Sequence, residues 1–243
     1  SYNIYINKSQ LTPKKRYLLL FISPFLGTSL LLVSFVTPRV KLKIVPLFNN
    51  QKITENNWHV SSQKDSIQFT KLKFYLTDFY VKSINDKIKT INHSNYLIDI
   101  FKPETLDILL NTTTFSNGDE LSFNLGVSSN MNRTGAHSGA LDPSNGMFWS
   151  WQSGYINFKI EGISPSCLTR KNKFQFHIGG YQAPHNTLRR ITFILNKQTT
   201  QLSINLDGFF EDTKLALENQ IMVPGAKANE LATKFLNTLT IIE

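Results

Sequence analysis

"GALDPSNGMFWSWQSGYINFKIEG", residues 139–162, passes from a turn-forming run into a clean two-residue repeat. Gly, Asp, Pro, Ser and Asn crowd its first half, the residues that tight turns select. In the second half Ile156, Phe158 and Ile160 alternate with Asn157, Lys159 and Glu161, as in a strand with one face on a core. The same repeat recurs on both sides. "KFQFHIGG" sets Phe174, Phe176 and Ile178 on one face, and "ELSFNLGVS" does so with Leu121, Phe123, Leu125 and Val127. "VKLKIVPLF" offers Val40, Leu42 and Ile44, while "RRITFIL" and "QLSINLDG" offer Ile191, Phe193, Leu195, Leu202, Ile204 and Leu206. In "SIQFTKLKFYLTDFYVKS" the repeat slips between Phe69 and Leu72, which predicts a bulge or a strand break.

Many half-buried strands with polar turns between them predict an all-β fold, an antiparallel β-sandwich. Its inner faces should include Phe123, Leu125, Phe158, Phe176 and Phe193. One helix stands out near the C-terminus. After Pro224, Ala228, Leu231, Ala232, Phe235, Leu236 and Leu239 recur at helical spacing, so the helix can lay one stripe on a sheet.

The N-terminus has a different character. Five of the nine excess positive charges fall in residues 1–39, which contain no acid. Lys14, Lys15 and Arg16 precede an apolar run from Tyr17 to Val36, the order of a secretory signal peptide. That run is also long enough to serve as an uncleaved membrane anchor. No A-x-A-like site follows it, so cleavage and anchoring both stay open. The reading is a targeting helix over residues 1–39 ahead of one domain over 40–243, placed in the periplasm or on the cell surface and touching membrane only through residues 17–36. The remaining charge is mildly basic and forms no Lys/Arg stripe, which argues against nucleic-acid binding. The single cysteine, Cys167, can form no internal disulfide, so packing must hold the fold.

Catalytic motifs are missing: there is no G-x-S-x-G, no phosphate loop and no paired carboxylates, and the chain reads as a non-enzyme. Glu161 and Asp207 read as solvated outward groups. Among the histidines, His177 faces away from Phe174, Phe176 and Ile178, toward solvent or a ligand, and should be dispensable for stability within about 1 kcal/mol. His137 lies in the loop "NRTGAHSGALDP", and His59, His93 and His185 read as surface residues. Trp149 and Trp151 share a face if "MFWSW" is extended. They could plug one end of the sandwich, stack a ligand, or sit beside a soft metal site.

The central run, together with "FQFHIGG", "LKFYLTDFYV", "LSFNLGVSSNMNRTGA" and "IMVPGAKANELATKF", resembles the MbnP-like copper-binding domain family, the group that includes the CorA/MopE-type surface proteins. The resemblance runs from about residue 40 to the end. It implies an exported β-sandwich that binds one copper ion through two histidines and a kynurenine. A partner di-haem peroxidase makes that kynurenine from tryptophan, and an outer-membrane transporter is a further implied partner. His177 matches the family's "HIGG" position and His137 the loop before "LDP", with Trp149 and Trp151 as the candidate tryptophans. The chain departs from the family pattern in lacking a W-x-H; Trp58 and His59 are merely adjacent. The competing reading is a metal-free sandwich that stacks a carbohydrate or peptide on Trp149 and Trp151.

Overall fold

The structure, a computed structural model, describes residues 40–242 apart from 86, 91–94, 111–114, 151 and 197–200. The targeting segment 1–39, His93 and Trp151 therefore lie outside the described residues. Among the described residues no helix is long and apolar enough to cross a membrane.

Two sheets face each other. In the smaller, the Val40–Phe48 strand lies centrally, pairing parallel with Gln201–Asn205 and antiparallel with Asp107–Leu110 and Gln51–Lys52. Leu239–Ile242 flanks Gln201–Asn205. The larger sheet runs Arg189–Ile194, Glu120–Leu125, Ser66–Lys82, Gly154–Ile163, Lys173–Gly179 and Gln220–Ile221. Pairing is mostly antiparallel; Val40–Phe48 with Gln201–Asn205 and Lys173–Gly179 with Gln220–Ile221 are parallel exceptions.

The alternation maps onto the interior. Phe123, Leu125, Phe158 and Phe176 are fully buried, and Phe193 packs half-buried against them. The slip after Phe69 is a bulge inside one unbroken strand: Glu161 pairs with Lys71 and Gly162 with Phe69, leaving Thr70 as the extra residue. Two expected core residues go elsewhere. A register shift between Ile156 and Phe158 turns Ile156 into a second cluster on the sheet's outer face, where Val127 also packs. Gly126, at φ +108°, turns the chain ahead of Val127.

The helix Ala226–Leu236 begins after Gly225 and buries Ala228, Leu231, Ala232 and Phe235. Phe235 stacks on Phe158 at 4.3 Å between ring centroids. Leu239 belongs instead to the following strand. A short helix, Asp207–Phe210, drives Phe209 and Phe210 between Phe176, Phe174 and Phe69. Cys167 sits wholly in the core, where burial pushes its thiol up to about 11. Such a thiol is unreactive.

His59 is not a surface residue. It lies in the Trp58–Val60 strand, 5% exposed, between the rings of Phe48 and Phe69. Its Nε2 has no hydrogen-bond partner among the described residues. Burial favours the neutral ring and lowers its pKa below the usual 6.5. The unfolded chain takes up this proton near pH 6.5 and the folded chain does not, so stability is full above that pH and falls below it. His59→Leu should therefore flatten the decline of the urea-unfolding midpoint between about pH 7 and 5. An unchanged slope in the variant would assign the acid sensitivity to other groups.

Candidate functional site

The outer face of the larger sheet carries a polar ladder and, beside it, a second apolar cluster that must be covered from water. In the ladder, Lys159 stands opposite Lys73 on one side and His177 on the other, and Glu161 stands opposite Lys71 and Gln175. Two lysines directly across a strand pair repel. Each has its own acceptor: Lys73 meets Asp99 at 3.3 Å, and Lys159 donates to the Gly146 carbonyl. Lys159 is 8% exposed, and burial lowers its pKa. Glu161 accepts from His177 Nε2 at 2.7 Å and from Lys71 Nζ at 3.1 Å. The hydrogen bond from His177, joined by that from Lys71, pulls its carboxyl down to about 2 against the opposing effect of burial.

The second cluster consists of Tyr75, Val127, Leu141, Met147, Tyr155 and Ile156, with Leu97, Met131, Phe148 and Trp149 packed on it. Residues 126–149 form its lid, and two buried asparagines staple that lid down. Asn157 Oδ1 accepts from Val127 N at 2.9 Å. Asn132 donates to the Val127 and Ser128 carbonyls and accepts from Tyr155 N at 2.7 Å. A side chain at Gly154 would collide with Asn132 Oδ1, and one at Gly126 with Asn157. The Tyr155 hydroxyl donates to Leu141 O and accepts from His137 N, both at 2.9 Å. Beneath them the buried Tyr75 hydroxyl finds no hydrogen-bond partner among the described residues, and burial, with Tyr155 and Asp142 nearby, raises its pKa.

His137 rests at the lid's edge, half-buried. Its ring lies 6.5 Å from Tyr155 between centroids, with Nε2 2.9 Å from Thr134 Oγ1 and 3.1 Å from Met131 O. His177 points away from the phenylalanine core, as its place in the repeat requires. It is not open to solvent, however: 7% of its surface is exposed, and Glu161 holds it. A stability cost for its removal follows, contrary to the expectation from sequence. Glu161 is likewise no solvated outlier. Trp149 lies over Gly179, where an added Cβ would come within 2.4 Å of the Tyr155 carbonyl oxygen and 2.9 Å of Trp149 Cζ3. Gly179 shares its outward face with His177, two residues earlier in the same strand. His137 and His177 belong to separate hydrogen-bonded groups; the His137 ring lies near Tyr155, and Trp149 packs on the cluster that contains Tyr155. Among the described residues, no three His, Cys, Asp or Glu side chains gather as a metal-binding group.

Sequence reasoning missed Lys159, Asn132, Asn157, Tyr75 and Tyr155. Alternation did contain a signal, since Lys159 and Glu161 fall on the face assigned to His177. The burial of that face depends on a lid with no periodicity of its own.

The fold is a two-sheet sandwich with one outer face covered by a long lid. The MbnP family model matches residues 37–224, and the chain belongs to that family. The match stops short of the Ala226–Leu236 helix. Among solved structures, MbnP from Methylosinus trichosporium is similar, with 14% identity and a TM-score of 0.56 over 73% of this chain and 79% of that one. At that identity the likeness establishes the fold. No curated protein matches the chain.

The Glu161 carboxyl supplies a test of the ladder. Its lowered pKa means stability that is full above about pH 4.5 and lost as pH falls toward about 2. Glu161→Gln should cost on the order of 3 kcal/mol at neutral pH and abolish that acid step. Guanidinium unfolding across the pH range reads both effects. An acid step of wild-type size in the variant would exclude Glu161 as its source.

Proposed function

We propose that the protein is an exported copper-binding member of the MbnP family, with His177, His137 and Trp149 as the residues that would hold the ion. The observation that carries this reading is the missing side chain at residue 179. It lets the Trp149 indole lie on the strand that carries His177, at the cluster whose edge carries His137. The donor chemistry suits copper, because imidazole is among its preferred ligands. Each ring is already oriented through Nε2, by a carboxylate at His177 and by the Met131 carbonyl at His137. Since those oxygens only accept, each Nε2 carries a proton, and the neutral ring keeps its lone pair on Nδ1. Metal-binding histidines are commonly held this way.

Bound copper would supply a soft, redox-active cation to this face. An indole has no lone pair to offer it. The family resemblance supports a partner di-haem peroxidase that oxidises a tryptophan to kynurenine, adding an amine and a carbonyl. Trp149 is half-buried at the lid's edge and is the preferred candidate, with Trp151 as the other. Sugar stacking on Trp149 finds less support, because the ring is packed against Gly179 and the second cluster.

Anaerobic copper titration of the full chain against a competing Cu(I) chelator, with metal analysis, tests the reading. One copper per chain is expected. His137→Ala and His177→Gln should each weaken binding by roughly 100-fold; the glutamine retains a donor for Glu161 and protects the fold. Stoichiometric binding that survives both substitutions would refute the ligand assignment, and no binding by the wild type would refute the function. The intact mass of protein from its native host reports whether a tryptophan has been oxidised.

A further inference from the structure

A cavity of about 230 Å³ opens where three segments meet, away from the lysine ladder. Gln152 and Ser153 come from the turn before the Gly154–Ile163 strand. Tyr181, Gln182 and His185 come from the loop after Lys173–Gly179, and Pro224 precedes the C-terminal helix. The walls are braced without any ligand. Gly180, at φ +119°, lets Pro224 and the His185 carbonyl close in; an added Cβ there would lie 3.0 Å from the first and 3.3 Å from the second. Its carbonyl accepts from Thr187 N at 2.9 Å and Thr187 Oγ1 at 3.1 Å, tying the two ends of the loop together. Arg189 then joins loop to helix, donating to Asn186 O at 2.9 Å and Asn229 O at 2.7 Å. A cavity held open by its own hydrogen bonds loses little conformational freedom on binding.

Its lining is mostly uncharged, with His185 as the one side chain that can carry positive charge. The described residues that line it include no Asp, Glu, Lys or Arg. The nearby cations are already committed: Arg189 as above, and Lys227 to Glu218 at 2.9 Å and Glu230 at 3.2 Å. An anionic ligand would give up hydration here and find only His185 and the start of the Ala226–Leu236 helix as counter-charge. The carboxamides of Gln152 and Gln182 each offer a donor beside an acceptor, the complement of two adjacent hydroxyl groups, and Gln182 Nε2 also donates to the Tyr181 hydroxyl at 3.4 Å. Tyr181 and Pro224 add apolar surface on which the C–H face of a ring can rest. The volume falls below the range of about 300–1,000 Å³ usual for drug-sized ligands, which limits the occupant to about one ring.

We infer that this cavity binds a single neutral pyranose, at a site separate from the copper-binding residues. Saturation-transfer NMR on the full chain tests it with methyl glucoside, methyl galactoside and N-acetylglucosamine, set against glucuronate and inorganic phosphate. Transfer to at least one neutral sugar is expected. The double variant Gln152→Ala/Gln182→Ala, altered at two exposed positions, should weaken that sugar at least about tenfold while leaving copper affinity unchanged. Absence of transfer to all three neutral sugars overturns the proposal. Preferential binding of glucuronate or phosphate also overturns it, by showing an anion site at the start of the helix. Because copper binding is read separately, failure here and failure of the copper reading are distinct results.

Discussion

A strand buried on both faces needs two different covers, and the Gly154–Ile163 strand imposes that constraint on the whole domain. Phe158 and Ile160 face the sandwich interior, where Phe235 and Phe209 from the two helices complete the packing. Tyr155, Asn157, Lys159 and Glu161 face outward and are nevertheless removed from most solvent. A buried ammonium and a buried carboxylate are tolerable only with partners. Residues 126–149 supply part of what is needed: the Gly146 carbonyl meets Lys159, and the Leu141 carbonyl meets the Tyr155 hydroxyl. Lys71 and His177 complete the set around Glu161.

The lid follows from this demand. Its only α-helix among the described residues, Ser129–Arg133, is too short to be stable alone and is capped by Ser128. The lid is fixed to the sheet by Asn132 and Asn157, whose amides replace backbone partners that an irregular segment lacks. Close approach at Gly126 and Gly154 makes both staples feasible. Glycine serves the same purpose at residue 179, where the Tyr155 carbonyl and Trp149 both fill the space a side chain would take. The asparagine staples of the lid and the seat of Trp149 thus share one cause, glycines that leave room for a close approach.

Much of this was legible before any coordinates. Strict two-residue repeats predicted the strands and the inner faces, because a strand's side chains alternate whatever surrounds it. The spacing of Ala228, Leu231, Ala232 and Phe235 likewise identified the helix stripe. The resemblance carried by "GMFWSWQSGYINFKIEG" and "FQFHIGG" pointed to the family that the chain belongs to. His177 was correctly turned from the phenylalanine core, since that inference needs only parity along one strand.

What parity cannot supply is the environment on the other face. Whether an outward Glu161 is solvated or clamped depends on Lys71, ninety residues earlier in the chain, and on His177. Exposure at His59 was misjudged for a similar reason: a polar flank in sequence says nothing about Phe48 and Phe69 closing over a ring. Amino-acid sequence alone determined the strands, most of their inward residues, the helix and the family resemblance, all of which rest on local periodicity or contiguous motifs. Only tertiary structure decided that the outer face is buried, that Trp149 lies over Gly179, and that His137 and His177 sit in separate hydrogen-bonded groups. Those outcomes depend on contacts between distant segments, and no local pattern encodes which distant segment will arrive.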